Sequence, residues 1–162
     1  MANINELLGH FTHSAEEEEE IIVILKPDVV ERKLVEVADQ MVRNSLTVLR
    51  CVRGSPPVHF WNAHLRFQAI PDEAKASHLA YWQRNDCVVY RIRMAHAASV
   101  AANVKKNMRR RFVLPEHRTR SGFFYSLANM IHSSESAEGA EEVRAWRAWL
   151  YDDLVDLPEN AV

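Results

Sequence analysis

Two segments of the chain carry side chains that could do phosphate chemistry, and the first is strongly basic. In residues 103–120 the single acid Glu116 stands among seven cationic side chains. These are Lys105, Lys106, Arg109, Arg110, Arg111, Arg118 and Arg120. Cations packed this densely can neutralise phosphate groups, and arginine adds bidentate hydrogen bonding. The simpler alternative is a solvated helix end, because cations are favourable near a helix C-terminus.

The second segment, 129–136, reads Asn-Met-Ile-His-Ser-Ser-Glu-Ser and places His132 between a short apolar stretch and a predicted helix. A neutral imidazole is a nucleophile near neutral pH and can carry a phosphoryl group. His132 is one of eight histidines, so an ordinary exposed or core histidine is the competing interpretation.

Length and composition predict one globular domain. The 162 residues, 48% apolar and 26% charged, are enough for a single core without a disulfide or a metal staple. Cys51 and Cys87 fit no metal-ligand spacing, so we expect reduced core thiols and no metal site. The glycines are too far apart for a Rossmann or P-loop phosphate site, which excludes those nucleotide-binding classes. They are Gly9, Gly54, Gly122 and Gly139.

The charge balance and the N-terminal sequence bear on partners and location. A net charge of -2 argues against a generic nucleic-acid or anionic-membrane binder, and nucleic-acid binding by the basic segment is the weaker alternative. No apolar run reaches the roughly 18 residues of a membrane span, and no targeting pattern is recognisable. We therefore expect a cytoplasmic protein without a membrane partner, with a cytoskeletal or organellar assembly as the alternative.

The two ends of the chain are acidic. Residues 1–20 end in five consecutive glutamates, whose mutual repulsion predicts a flexible acidic leader. Residues 151–162 contain four acids and no cation, which predicts an acidic C-terminal tail. The globular domain is expected at 21–150.

Between these ends, periodicity predicts the order β-α-β-αα-β-α-β-α. The wholly apolar run 21–25 predicts a strand buried on both faces, and further strands are predicted at 46–52 and 87–94. Helices are predicted at 30–44, 58–68, 72–84, 95–110 and 136–150, the last with Ser134 or Ser136 as N-cap. The short units favour an α+β fold of the ferredoxin-like sandwich type, with a mainly antiparallel four-stranded sheet flanked by helices.

Read together with Lys26-Pro27-Asp28 at the end of the first strand, the His132 segment resembles the nucleoside diphosphate kinase family. In that family the first strand ends in a KPD motif, and an N-x-x-H-G-S-D-S motif carries the phosphorylated histidine. The resemblance covers residues 21–149, and the two motifs at this separation are more specific than either alone.

The resemblance implies transfer of the γ-phosphate from a nucleoside triphosphate to a nucleoside diphosphate through a phosphohistidine. It implies Mg²⁺ bound with the nucleotide, and a homo-oligomer or a subunit of a larger assembly. Catalytic roles fall on His132, Lys26 and Ser134. Nucleotide-binding roles fall on Lys26, Arg120 and Asn129. The second phosphate-binding arginine of the family falls near Asn103, so Arg109 and Lys105 are the candidates to replace it.

Several positions depart from the family pattern. Val29 and Ser133 stand where the family has glycines, and the glutamate that orients the histidine ring falls at Val143. The neighbouring Glu142 is expected to lie about 100° round the helix.

The aromatic residues that clamp the base in the family fall near Leu65, with Phe67 two residues on, and near Glu73. Stacking on an aromatic ring contributes about 1–3 kcal/mol per base. These departures leave two hypotheses open. One is an active kinase with a rebuilt phosphate clamp, and the other is a catalytically impaired module that acts as a structural or interaction subunit.

Overall fold

A four-stranded antiparallel sheet in the order β2-β3-β1-β4 forms the centre of the structure, a computed structural model that describes residues 17–118 and 127–150. The strands are β1 (Glu18–Leu25), β2 (Val48–Gly54), β3 (Cys87–Ala95) and β4 (Ile131–Ser133). This sheet and its flanking helices confirm the expected α+β, ferredoxin-like fold class.

Six α-helices of the described residues flank the sheet. They are α1 (Pro27–Glu31), α2 (Val35–Ser45), α3 (Val58–Phe67), α4 (Asp72–Trp82), α5 (Ala97–Phe112) and α6 (Gly139–Trp146). A short 3₁₀ turn follows α5 at Pro115–His117. In the described part of the chain, no helix is both long enough and apolar enough to cross a membrane.

Strand β1 lies at the centre of the core. Its residues 21–25 are fully buried, as the wholly apolar sequence predicts. Ile21, Val23 and Leu25 pack on one face against α2 and α5. Ile22 and Ile24 pack on the other face against an aromatic cluster from α3, α4 and α6. The rings of that cluster are Phe60, Trp61, Tyr81, Trp82 and Trp146.

Strand β1 also begins earlier than expected, because Glu18 and Glu20 belong to it rather than to a leader that ends at residue 20. Arg93 Nε lies 2.9 Å from a Glu18 oxygen, and Arg91 Nη2 lies 2.9 Å from a Glu20 oxygen. These cross-strand ion pairs offset the repulsion within the glutamate run. The rest of the predicted leader, residues 1–16, and the predicted tail at 151–162 lie outside the described residues.

The helix predicted at 30–44 is two helices, α1 and α2. Pro27 starts α1 instead of only ending the strand, because its fixed φ suits the first turn of a helix. Between the two helices Lys33 has φ 58°, in the left-handed region that a continuous helix does not use.

The last helix begins at Gly139, three residues later than expected, and neither Ser134 nor Ser136 is its N-cap. Gly139 lies against β1, where an added Cβ would overlap the carbonyl oxygen of Glu20 and touch Ile21. The missing side chain therefore lets α6 approach the central strand.

Gly139→Ala tests this close approach. Alanine normally stabilises a helix, yet here we expect a loss of about 1–3 kcal/mol of unfolding free energy because the backbone atoms in the way cannot rotate aside. Chemical denaturation checks this, with Glu141→Ala, an exposed position on the same helix, as the near-neutral control. A stabilising Gly139→Ala would contradict the packing argument.

Candidate active site

The pairing of β1 with β4 brings the two sequence motifs together. His132 in β4 lies opposite Ile24, and Ile131 lies opposite Leu25. Lys26 follows Leu25, and its backbone N–H donates to the carbonyl of Met130 at 2.8 Å. Residues about a hundred positions apart in the chain thus share one edge of the sheet.

Both motifs open onto a cavity of about 500 Å³. Its volume lies within the range of small-molecule sites. The sequence-predicted residues that line it are Lys26, Lys105, Arg109, Asn129 and His132. Ser134 is not among the lining residues, and Arg120 lies outside the described residues. The structure therefore assembles one site from four distant elements or loops.

A buried hydrogen-bond network fixes the His132 ring. Its Nε2 lies 3.0 Å from Oε2 of Glu142, which is fully buried. The Ser134 hydroxyl donates to the same oxygen at 2.9 Å and accepts from the backbone N–H of Ile22 at 3.0 Å. When Glu142 is ionised, Nε2 carries the ring proton and Nδ1 keeps the lone pair. Ser134 acts through Glu142 and does not face the cavity.

Glu142 is the residue that sequence reasoning placed wrongly. The family position of the ring-orienting glutamate falls at Val143, and Glu142 was expected about 100° away from it, but Val143 packs in the aromatic cluster and Glu142 binds the ring. The difference lies in which residues of α6 face the sheet. Gly139, Glu142, Val143 and Trp146 form its buried face at the spacing i, i+3, i+4 and i+7. That spacing, read from a helix start at Gly139, would have identified Glu142.

Burial and nearby cations keep His132 neutral. Desolvation, with the charges of Lys26, Lys105 and Arg109, lowers the pKa of His132 to about 3. Burial and the charge of Arg109 lower the pKa of Lys26 to about 7. Burial and then Arg109 also lower the pKa of Lys105. Because these cations repel one another in a partly desolvated cavity, an anion bound between them would relieve that repulsion.

The basic segment divides into three roles. Lys105 and Arg109, four residues apart on α5, face the cavity. Lys106, Arg110 and Arg111 are exposed, as the solvated-helix alternative predicts. Arg118 donates to the carbonyls of Arg110 at 2.7 Å and Val113 at 3.2 Å, and so binds the end of α5.

Arg109 also organises the approach to β4. Its guanidinium donates to the carbonyl of Asn129 at 3.1 Å, to Oδ1 of Asn129 at 3.0 Å and to the carbonyl of Ile131 at 2.8 Å. Burial lowers the pKa of Arg109 to about 10, so the side chain stays charged at neutral pH. Asn129 is thereby held at the rim of the cavity.

The structure shows where the residues lie that depart from the nucleoside diphosphate kinase sequence pattern. Val29 and Leu65 are core residues, so Leu65 cannot stack on a ligand. Phe67, two residues on, lines the cavity, and Ser133 does so beside His132. Glu73 is exposed on α4. Asn103, where the second arginine was expected, is also exposed, and Lys105 and Arg109 are the cations that reach the cavity.

His64 is a neighbour of His132 that sequence reasoning missed. It lies on α3, is 1% exposed, and its ring meets the His132 ring edge-on with 4.6 Å between centroids. A lone histidine on an apolar helix gives no signal of such a contact, because the contact depends on how α3 packs against the sheet.

Comparison with solved structures identifies the fold. The chain superposes on a nucleoside diphosphate kinase from Halobacterium salinarum, solved with CDP, with a TM-score of 0.63 and 15% identity, covering 80% of this chain and 88% of that one. A nucleoside diphosphate kinase family protein from Babesia bovis superposes with a TM-score of 0.62 and 15% identity, covering 79% of this chain and 87% of that one. The nucleoside diphosphate kinase from Borrelia burgdorferi, solved with vanadate and ADP, superposes with a TM-score of 0.57 and 15% identity, covering 80% of this chain and 86% of that one.

The fold is therefore that of the nucleoside diphosphate kinases, in a sequence far diverged from these structures. No protein-family model matches the chain, and no curated protein sequence is significantly similar to it. At 15% identity the structural likeness shows the fold alone, so the chemistry has to be argued from the site itself.

Ser134→Ala tests the network beneath the ring. Removing the hydroxyl leaves the Ile22 N–H and one Glu142 interaction unsatisfied in a buried place, so we expect about 1–3 kcal/mol less unfolding free energy. Ser136→Ala is the control, since Ser136 is exposed and caps no helix. Equal effects of the two substitutions in denaturant titrations would contradict the network.

Proposed function

We propose that this protein transfers the γ-phosphate of a nucleoside triphosphate to a nucleoside diphosphate through a phosphohistidine at His132. The observation that carries the proposal is the state of that ring. It is buried and neutral, Nε2 is anchored on Glu142, and it lines a cavity together with Lys26, Lys105 and Arg109. A fixed neutral imidazole among cations is suited to attack on a phosphate.

In the first half-reaction the Nδ1 lone pair attacks the γ-phosphorus, and the bond from that phosphorus to the β–γ bridging oxygen breaks. The nucleoside diphosphate leaves with the electron pair of that bond. Glu142 stabilises the positive charge that the imidazole gains, through the Nε2–H it already binds. The second half-reaction reverses these steps with a different diphosphate.

The three cations have distinct placements for this chemistry. Lys26 lies beside β4 at the end of β1, and its ammonium donates to the carbonyl of Leu127 at 3.3 Å. Lys105 and Arg109 approach from α5. Cations on two sides of a transferred phosphoryl group can neutralise charge on its equatorial oxygens, which is the main requirement of phosphoryl transfer.

The nucleotide would extend from these cations along the cavity. Asn129 and Phe67 line the cavity, and in this proposal Asn129 contacts the sugar 3′-hydroxyl while Phe67 stacks on the base. Arg120 remains a proposed phosphate ligand outside the described residues. A homo-oligomer or a larger assembly in the cytoplasm remains the proposed setting of the protein.

The residues of the cavity fit Mg²⁺ that enters with the nucleotide. Mg²⁺ keeps several waters and is held mainly by substrate phosphates with one or two carboxylates, and Glu135 and Glu138 are the carboxylates that line the cavity. When bound, the ion would neutralise the β- and γ-phosphate oxygens.

One observation favours the second candidate function, a catalytically impaired module that serves as an interaction subunit. Ser133 lines the cavity and follows His132 directly in β4, where the sequence motif of the kinases has glycine. The substitution removes the backbone freedom that a glycine would give beside the nucleophile. The labelling experiment below separates the two candidates.

Incubation of the protein with γ-³²P-labelled ATP and Mg²⁺ tests the phosphohistidine. We expect acid-labile, base-stable label on the wild-type chain and none on His132→Ala, because the label requires the ring nitrogen. His59→Ala, an exposed position on α3, is the control that should label like the wild type. A folded wild-type chain that takes no label would favour the interaction subunit.

A neighbouring pair of lysines tests the phosphate clamp. Lys105 lines the cavity whereas Lys106 is exposed. We expect Lys105→Ala to weaken Mg²⁺–ADP binding about 10-fold, which corresponds to the loss of one charge-assisted hydrogen bond, and Lys106→Ala to leave it unchanged. Isothermal titration calorimetry measures both. The same affinity in both variants would remove Lys105 from the clamp.

A further inference from the structure

Two unsatisfied polar atoms lie buried beside the His132 ring. His64 is 1% exposed, and its Nδ1 has no hydrogen-bond partner among the described residues. Oε1 of Glu142 is likewise buried without a described partner, although Oε2 binds both His132 and Ser134. Leaving two such acceptor or donor atoms unpaired in a core costs free energy, which a bound ligand could recover.

The donor set around these atoms is that of a transition metal. One ligand atom from each of His64, His132 and Glu142 can be chosen so that all three lie within 4.8 Å of one another. Zn²⁺ binds such ligands at about 2.0–2.2 Å in a tetrahedron, which places ligand atoms about 3.3 Å apart. The 3.0 Å between His132 Nε2 and Glu142 Oε2 is already close to that spacing.

We propose that His64, His132 and Glu142 form a binding site for a divalent transition metal, with Zn²⁺ the ion that two imidazoles and one carboxylate suit best. This site goes beyond the proposed phosphotransfer, which uses the same histidine without a protein-bound metal. Zinc sites with three protein ligands keep a fourth coordination position open for water or another small ligand.

A small cavity supplies the open position. About 60 Å³ of space lies beside the cluster, bounded among others by His64, His132, His78 and Gln68. This volume holds one or two waters, so a water can serve as the fourth ligand. The cavity shares Lys26, Gln68 and His132 with the larger one, which gives an ion a route from the surface.

The surrounding charges determine which ions can bind. The positive charges of Lys26, Lys105 and Arg109 act on His132 and oppose any cation beside it. Affinity must therefore come from the bonding preference of the ligands, which favours Zn²⁺ or Co²⁺ over Mg²⁺ and Ca²⁺ because imidazole suits the former and oxygen ligands suit the latter.

Metal binding has a chemical consequence for the nucleophile. Zn²⁺ on Nε2 of His132 displaces the proton that this nitrogen shares with Glu142; that proton goes to solvent, and Nδ1 takes one up from solvent, so the ring stays neutral. A neutral imidazole that gives its Nε2 lone pair to a metal carries its proton on Nδ1, so no lone pair remains there for phosphorus. The metal would thus block phosphorylation, a consequence that rests on the proposed function, whereas metal binding itself does not.

Titration of the metal-free, tag-free full chain with Co²⁺ tests the site. We expect intense visible absorption bands that saturate at one equivalent and disappear when Zn²⁺ is added. His64→Phe, which keeps an aromatic ring among Trp61 and Trp82, should weaken Co²⁺ binding by about 100-fold or more, because one of three protein ligands is lost. His59→Phe, the same change at the exposed histidine of α3, should leave it unchanged.

A second variant covers the case in which His64→Phe fails to fold, as judged by circular dichroism. Glu142→Gln keeps the shape of the side chain and its bond with Ser134 but removes the anionic ligand, so it should show the same loss of Co²⁺ binding. A folded wild-type chain without saturable Co²⁺ bands would overturn the site, as would equal losses in His59→Phe and His64→Phe.

The labelling reaction then separates this inference from the proposed function. If the wild type is labelled by ATP, the Zn²⁺ concentration that halves the labelling should match the one that displaces half of the Co²⁺. Labelling that persists when the site is saturated with Zn²⁺ would overturn His132 as a ligand. If no label forms at all, the phosphotransfer proposal fails and the Co²⁺ titration still decides the metal site.

Discussion

The pairing of β1 with β4 is the contact on which the site depends. The segment that ends in Lys26 and the segment that carries His132 meet only because Leu25 and Ile24 lie opposite Ile131 and His132. The hydrophobic effect holds this contact, since β1 is buried between two apolar clusters. The polar groups at its edge are a weaker source of net stability, because their hydrogen bonds first have to offset the solvation lost on burial, although removing one partner is costly.

Burial at the strand edge also sets the chemistry of the site. Removal from water disfavours the charged form of every basic group there, so it gives a neutral imidazole beside a lysine with a pKa of about 7. The same burial makes the bond from Nε2 to Glu142 strong enough to fix the ring. Burial therefore both makes the His132 ring reactive and lowers the stability of the fold, as is usual for buried residues at functional sites.

Much of this arrangement could be predicted from the sequence because it rests on local patterns. The apolar run of β1, the strand β3 and the basic face of α5 each have a clear periodicity, and the structure brings Lys26, Lys105, Arg109, Asn129 and His132 to one cavity. The role of Glu142 could not be predicted, because Glu142 and Val143 are both buried on α6 and the packing of the helix on the sheet decides which of them meets the ring. His64 was missed because its contact is a tertiary one, made where α3 packs on the face of the sheet that carries His132, and it leaves no local pattern.

The glutamates at the start of β1 have a consequence for the length of the strand rather than for its alignment. Residues 21–25 are apolar on both faces, so sliding β1 by one residue along β3 would exchange one buried side chain for another at little cost in hydrophobic burial. The ion pairs of Glu18 and Glu20 with Arg93 and Arg91 do not remove that degeneracy, because residues 17–20 are all glutamate and a slide would bring another glutamate to the same arginines. A run of acids that composition alone assigns to solvent thus lengthens the central strand and holds its start on β3 in whichever alignment the core selects.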